Sequence, residues 1–166
     1  MPADQTSFEI DAFLPTWLRK LPQLRQAQDV SDAQKLAKVF PVFVPASELL
    51  PAVTYSRVNT KRDYTMQGQQ DPTVPTFKLV CWAKSDEAGY AINLASARAI
   101  RDSLSGLQTA VADSVGNKHY VRRVILADEF DDDDAPIFAD GVEVFQRVLM
   151  LQVSHTETVR NLIGGS

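Results

Sequence analysis

Phe77–Leu104 reads FKLVCWAKSDEAGYAINLASARAIRDSL, a strand pattern that runs directly into a long alanine-rich helix. Apolar side chains lie on both faces around Cys81, as in a strand that touches protein on two sides. Ser85 stands where the N-cap of the helix is expected, and Gly106 follows the helix as a C-terminal stop. Small residues recur every three or four positions between them, which favours close packing of the helix on a sheet.

The residues before this unit predict helices. Phe13 and Trp17 share one face of an amphipathic segment that Pro22 interrupts. Ser31 with Gln34 forms a capping box, which predicts a second short helix ending near residue 39. We expect residues 1–40 to form an N-terminal helical extension.

The next part of the chain predicts the start of a sheet. The β-branched and aromatic residues of 53–58 favour a strand, and 62–67 is its expected neighbour. Residues 68–75, GQQDPTVP, carry so much turn chemistry that we expect an exposed, mobile loop there. Such loops often contact partners.

Further strands follow the central helix. Turn residues at 115–118 predict a hairpin, 120–126 has strand character, and 142–155 is the longest strand signal of the chain. This order predicts an α+β fold with a mostly antiparallel sheet packed by one long central helix. The expected parts are the helical extension 1–40, an α+β domain 41–156 and a flexible C-terminal tail 157–166.

Composition excludes several functional classes. The net charge of −4 argues against a protein whose main task is to grip nucleic acid, because phosphate neutralisation needs clustered cations. The single cysteine, Cys81, lies in an apolar strand and is expected to be a buried core residue. The chain starts without a signal-peptide pattern, and no apolar run approaches the roughly 20 residues of a spanning helix. We therefore expect synthesis in a cytoplasm and no membrane contact.

Motifs for chemistry are missing from the sequence. His119 and His155 stand alone at strand ends without metal-ligand spacing. No nucleophile elbow, Walker loop or dinucleotide-binding glycine motif is present. We therefore expect no enzyme, no catalytic residue, no cofactor and no metal site.

The acidic segment Asp128–Asp134 is the strongest electrostatic feature, with six carboxylates in seven residues. It lacks the ligand layout of an EF-hand, which leaves a weak divalent-ion site, a solvated loop, or a surface that repels DNA phosphates or docks a basic partner. The candidate interaction residues are Asp131, Asp132, Asp133 and Asp134, together with Gln69, Gln70 and Asp71 of the predicted loop.

Four segments in order resemble the tail-completion or tail-terminator family of long-tailed phages and phage-derived particles. They cover about residues 50 to 156, and their shared order makes the resemblance more specific than any one of them. The segments are PAVTYSRV (51–58), VCWAKSDEAGYAINLASARAIRDSL (80–104), Asp133–Pro136 and VFQRVLMLQVSH (144–155).

The resemblance implies a non-enzymatic structural protein of the virion tail or neck, assembled in the host cytoplasm. Its subunits would form a homo-oligomeric, hexameric ring that caps the tail tube and provides the head–tail joining surface. The implied partners are other copies of the chain, the tail tube protein and the head–tail connector protein, with DNA only passing through the lumen. A head-side adaptor or other neck protein is the alternative, and a small α+β ligand- or metal-binding domain is an alternative from another class.

Overall fold

The computed structural model describes residues 5–7, 10–30, 36–45, 50–65, 68–112, 118–132, 143–155 and 158–160. Three helices and eight strands lie in these ranges. They are β1 (Gln5–Ser7), α1 (Ile10–Lys20), α2 (Pro22–Ala27), β2 (Val39–Pro41), β3 (Ala52–Thr65), β4 (Gly68–Lys84), α3 (Glu87–Leu104), β5 (Thr109–Ala112), β6 (Lys118–Asp132), β7 (Val144–His155) and β8 (Thr158–Arg160).

Six of the strands form one sheet in the order β2-β3-β4-β7-β6-β5, and β1 pairs with β8 in a separate ribbon. Every neighbouring pair of the large sheet is antiparallel except β2 with β3, which is parallel. The sheet is therefore mixed but mostly antiparallel. The predicted α+β fold is confirmed, with α3 packed against β4 and β7.

The helices cover one face of this sheet. Leu14 and Leu18 of α1 and Leu24 of α2 join a single core cluster with Ile100 of α3 and Leu149 of β7. The N-terminal helices thus share the core of the sheet. The three-part division of the chain stays a prediction.

The opposite face of the sheet is also partly buried. Val148 is completely buried there and lies in register with Val80 of β4 and Phe130 of β6. Trp82 on the same face donates its indole N–H to the Thr54 hydroxyl at 2.9 Å. The central strands therefore carry apolar residues on both faces, as the sequence pattern around Cys81 predicts.

The predicted loop at 68–75 is wrong, because these residues belong to β4. They pair with the second half of β3 as the returning arm of a long hairpin, with Thr65 opposite Gly68. The two prolines fall where pairing is irregular: Pro72 has no partner in the β3 register, and Pro75 has none in the β7 register. A proline is tolerated in a strand where its missing N–H has no ladder partner.

Three local predictions also need correction. The second helix is α2, which starts at Pro22, since a proline suits the first turn of a helix. Val39 begins strand β2, while Ser31 and Gln34 lie outside the described residues. The expected strand at 62–67 is instead the continuation of β3 as far as Thr65.

The helix α3 begins one residue later than predicted. Asp86 is its N-cap, in extended conformation, and the Asp86 carboxylate accepts a hydrogen bond of 2.6 Å from the Gly89 N–H. A carboxylate satisfies an unpaired helix N–H and also faces the positive end of the helix dipole. Gly106 lies just past the helix with φ of 75°, the left-handed conformation expected at this position. None of the described helices is long and apolar enough to span a membrane.

Candidate functional site

Asp131 and Asp132 are the last residues of β6 and not part of a loop, as the solvated-loop interpretation required. They lie opposite Arg147 and Gln146 of β7. Asp133 and Asp134 lie outside the described residues. The acidic segment therefore begins inside the sheet, and its first carboxylates are held by strand pairing.

An ion-pair network holds the first carboxylates of this segment. Glu129 accepts hydrogen bonds from Arg101 of α3 at 3.0 Å and from Arg147 of β7 at 3.2 Å. Arg147 also donates to Asp131 at 3.1 Å. The network joins the helix to two strands, so part of the acidic charge is neutralised within the subunit.

The electrostatics of Arg147 reflect these contacts. Partial burial lowers the pKa of Arg147, but the hydrogen bonds and negative charges of Glu129 and Asp131 outweigh it and raise the pKa above its ordinary value. Arg147 therefore stays charged and engaged with its two carboxylates.

A cleft of about 480 Å³ opens beside this network, between the first half of α3 and the facing ends of β6 and β7. Its volume falls within the roughly 300–1,000 Å³ of pockets that bury small ligands. The rim carries three carboxylates and the floor is partly aromatic. We call it the acidic cleft; its lining includes Tyr90, Asn93, Asp131, Asp132, Glu143, Phe145 and the cation Arg147.

The floor of the acidic cleft contains a buried amide with an unused acceptor. Asn93 is 3% exposed and donates its Nδ2 to the Phe145 carbonyl at 3.1 Å. Its Oδ1 has no hydrogen-bond partner in the described part of the chain. Tyr90 packs edge-on against Phe145 with ring centroids 5.7 Å apart. A buried acceptor without a donor costs about 1–3 kcal/mol, so this position favours a ligand that brings an N–H.

The other predicted contact residues, Gln69, Gln70 and Asp71, lie in the returning strand of the β3–β4 hairpin. Gln69 and Gln70 are opposite Tyr64 and Asp63 near the hairpin turn. Gln70 is 11 residues along β4 from Cys81, which is in register with Arg147 beside the acidic cleft. At about 3.3 Å per residue, the two candidate surfaces are roughly 35 Å apart along the strand. The structure therefore does not bring them together.

This part of the hairpin extends beyond the rest of the sheet. Pairing of β4 with β7 ends at Thr73, and β2 pairs with β3 only at residues 53–55. We call residues 58–65 and 68–72 the hairpin arm. Within the described residues its two outer edges have no strand partner, which leaves the N–H and C=O groups of these edges without ladder hydrogen bonds in that part of the chain.

Two further reactive side chains, Cys81 and His155, are buried in the sheet. Cys81 is fully buried, which confirms its predicted core position, and burial, followed by the charge of Glu129, raises its pKa to about 12. His155 is also buried, between Thr73 of β4 and Val121 of β6. The described residues contain no group of three or more His, Cys, Asp or Glu placed to hold a metal ion.

Sequence reasoning missed Asn93, Arg101 and Arg147. One signal was available for Arg147, a lone cation within the apolar strand VFQRVLMLQV that needs a partner at that depth. Glu129 and Asp131 share a face at strand spacing and supply this partner. Asn93 gave no signal, because a polar residue in an alanine-rich helix is ordinarily assigned to the solvent face.

The sequence matches no family model, and it has no significant match among curated proteins. Among solved structures, it is similar to a chain of a structure described as the virion of a native gene transfer agent (GTA) particle. The two chains are 18% identical, the match covers 84% of this chain and 90% of the other, and the TM-score is 0.52. At this identity the likeness concerns the fold.

Proposed function

We propose that this chain is a non-enzymatic structural protein of a phage or phage-derived virion, and specifically the ring that closes the tail tube and forms the head–tail joining surface. The observation that carries the proposal is the shared fold with a virion chain over most of both lengths. Because that likeness concerns the fold alone, the terminator role rests in addition on the sequence resemblance described above.

The surfaces of the subunit suit assembly with other copies. The hairpin arm offers unpaired backbone edges to a neighbouring chain, and β-strand addition is a common mode of such contacts. The described surface also exposes large apolar side chains, among them Phe43, Val58 and Phe130. A closed ring would bury such groups and stop growth, since its two faces differ.

Electron microscopy of the purified protein over a range of concentrations tests ring formation. We expect rings of one size, with a population that grows with concentration. A protein that stays monomeric at the highest concentration, together with particles that make normal, joined tails after deletion of the gene, would contradict the proposal.

Deletion in the source particle also separates the terminator from its alternative. Loss of a terminator is expected to leave filled heads beside overlong or unjoined tails. Leaking heads beside normal tails would indicate a head-side adaptor instead. Stoichiometric, tightly bound metal or a small molecule in the purified protein would favour the ligand-binding alternative.

Substitutions in the hairpin arm test its part in assembly. Gln69→Glu with Gln70→Glu adds two negative charges next to Asp71 at the unpaired edge, which is expected to weaken ring formation by repulsion between copies. Gln23→Glu with Gln26→Glu is the matched control, because it makes the same chemical change on the exposed face of α2. If the two variants form rings equally well, the hairpin arm is not part of the interface.

A further inference from the structure

We propose that the acidic cleft receives Arg122 and Arg123 of a second copy of this chain, so that subunits associate head to tail. This proposal rests on the ring function proposed above and specifies its contact.

The acidic cleft is rich in acceptors. Asp131, Asp132 and Glu143 line it together with Arg147, which already donates to Glu129 and Asp131. The buried Oδ1 of Asn93 is a further acceptor, and it has no donor within the described residues. A phosphate or a carboxylate brings acceptors and the same sign of charge as the three carboxylates, and the guanidinium of Arg147, which also lines the cleft, is already engaged by Glu129 and Asp131. A guanidinium brings five N–H donors and a positive charge.

The described surface carries one pair of consecutive cations whose side chains are both exposed, Arg122 and Arg123. In a regular strand, neighbouring residues point to opposite faces. The register between β6 and β7 shifts here, because Val121 pairs with His155 while Arg123 pairs with Ser154, and Arg122 is left as an extra residue. This bulge keeps both arginines on the surface, and we call them the arginine bulge.

The arginine bulge and the acidic cleft lie at opposite ends of the same strand. Nine residues separate Arg122 from Asp131, which is roughly 30 Å in a strand. A subunit therefore cannot fill its own cleft with its own bulge. When the two surfaces of one contact are different, repeated association gives a closed ring or an open filament. The contact thus supplies the head-to-tail geometry that a ring requires.

Complementary charge reversal tests this contact. The bulge variant is Arg122→Glu with Arg123→Glu, and the cleft variant is Asp132→Lys with Glu143→Lys, which leaves Asp131 on Arg147. Each variant alone is expected to self-associate about tenfold more weakly than the wild type, or worse, in sedimentation velocity.

A 1:1 mixture of the two variants is expected to recover association, because each reversed bulge then meets a reversed cleft and each native bulge meets a native cleft. Lys20→Glu with Arg98→Glu is the control for the bulge variant, since it makes the same total charge change at exposed positions outside both surfaces. Self-association of the control should match that of the wild type.

The outcomes separate this contact from the ring function. If the wild type and both variants form equal rings, or if mixing recovers nothing, the arginine contact is refuted while the ring function stands. If the wild type itself forms no oligomer at any concentration, the ring function fails, and the contact fails with it.

Cross-linking gives a second measurement. Arg123→Cys with Glu143→Cys is expected to form disulfide-linked ladders between copies under mild oxidation, because the two thiols meet only across the proposed contact. Cys81 does not interfere, since it is fully buried. Arg98→Cys with Glu143→Cys is the control and should give no ladder. Equal ladders from both pairs would indicate random collision and refute the contact. An experimental structure in which residues 133–142 of the same chain occupy the cleft would also refute it.

Discussion

Replacement of Gly89 by alanine tests how closely the central helix is seated on its strand. A Cβ built on Gly89 would overlap the Lys84 backbone carbonyl, well inside 3.0 Å, and would come within 3.1 Å of the Asp86 carboxylate that caps the helix. The Lys84 carbonyl belongs to the end of β4 and cannot turn away like a side chain. The helix must therefore move or lose its cap.

The expected effect follows from three contributions. Alanine in place of glycine favours a helix by about 1 kcal/mol. Overlap with a fixed neighbour costs about 1–3 kcal/mol, and loss of the Asp86 cap costs about 1 kcal/mol more. We expect Gly89→Ala to lower the free energy of unfolding by about 1–3 kcal/mol, and Tm by about 2–4 °C for each kcal/mol in a chain of this length.

Urea denaturation followed by circular dichroism measures this change. Ala91→Gly is one control: it removes a methyl group from an exposed helix position and should cost about 1 kcal/mol. Gly106→Ala is another, because its Cβ would meet open space and the cost of about 1–2 kcal/mol would come only from the left-handed backbone. A Gly89→Ala protein as stable as the wild type would refute the close contact between helix and strand.

Three further predictions concern side chains of the sheet. Glu129→Gln weakens both arginine contacts and should lower the free energy of unfolding by about 1–2 kcal/mol in urea titrations. Asp102→Asn is the control, because Asp102 forms an exposed ion pair with Arg101 at 3.8 Å, and it should change the free energy of unfolding by less than about 0.5 kcal/mol. Cys81 should resist thiol reagents at pH 8 until urea unfolds the chain. Burial raises the pKa of its thiol from 9.0 to about 12. The contribution of Cys81 to stability is therefore present below pH 9 and is lost as the pH rises toward 12. Rapid labelling of the native protein would refute this burial. Thr54→Val removes the acceptor of the Trp82 indole and should cost about 1 kcal/mol by the same urea assay; an unchanged midpoint would contradict it.

The elements that the sequence predicted well are those whose local pattern agrees with their tertiary setting. The strand around Cys81 has apolar residues on both faces, and the structure buries both. The helix α3 has an acidic cap, an apolar face and a terminal glycine, so its limits are predicted to within a residue. The N-cap is Asp86 and not the predicted Ser85. Both residue types suit this position, and only the hydrogen bond from the Gly89 N–H identifies Asp86 as the cap.

The elements that were missed depend on partners far away in the sequence. Residues 68–75 have the turn chemistry of a loop, but pairing with β3 outweighs it once the prolines fall at irregular positions. The acidic segment was interpreted as a weak divalent-ion site, a solvated loop, or a repulsive or docking surface. None of these interpretations included Arg147, which is 16 residues from Asp131 and is brought to it only by the β6–β7 register. Asn93 becomes a site residue only because α3 lies over Phe145. None of these contacts can be predicted from the spacing of residues within a short stretch of sequence.

The backbone edges of the hairpin arm bear on which sequence changes the protein tolerates. Contacts made through main-chain N–H and C=O groups do not depend on which side chains the strand carries, provided that the strand keeps its shape. Substitutions along such an edge would leave its backbone groups in place while the sequence changes. A backbone arrangement can then stay similar to that of the GTA virion chain at only 18% sequence identity.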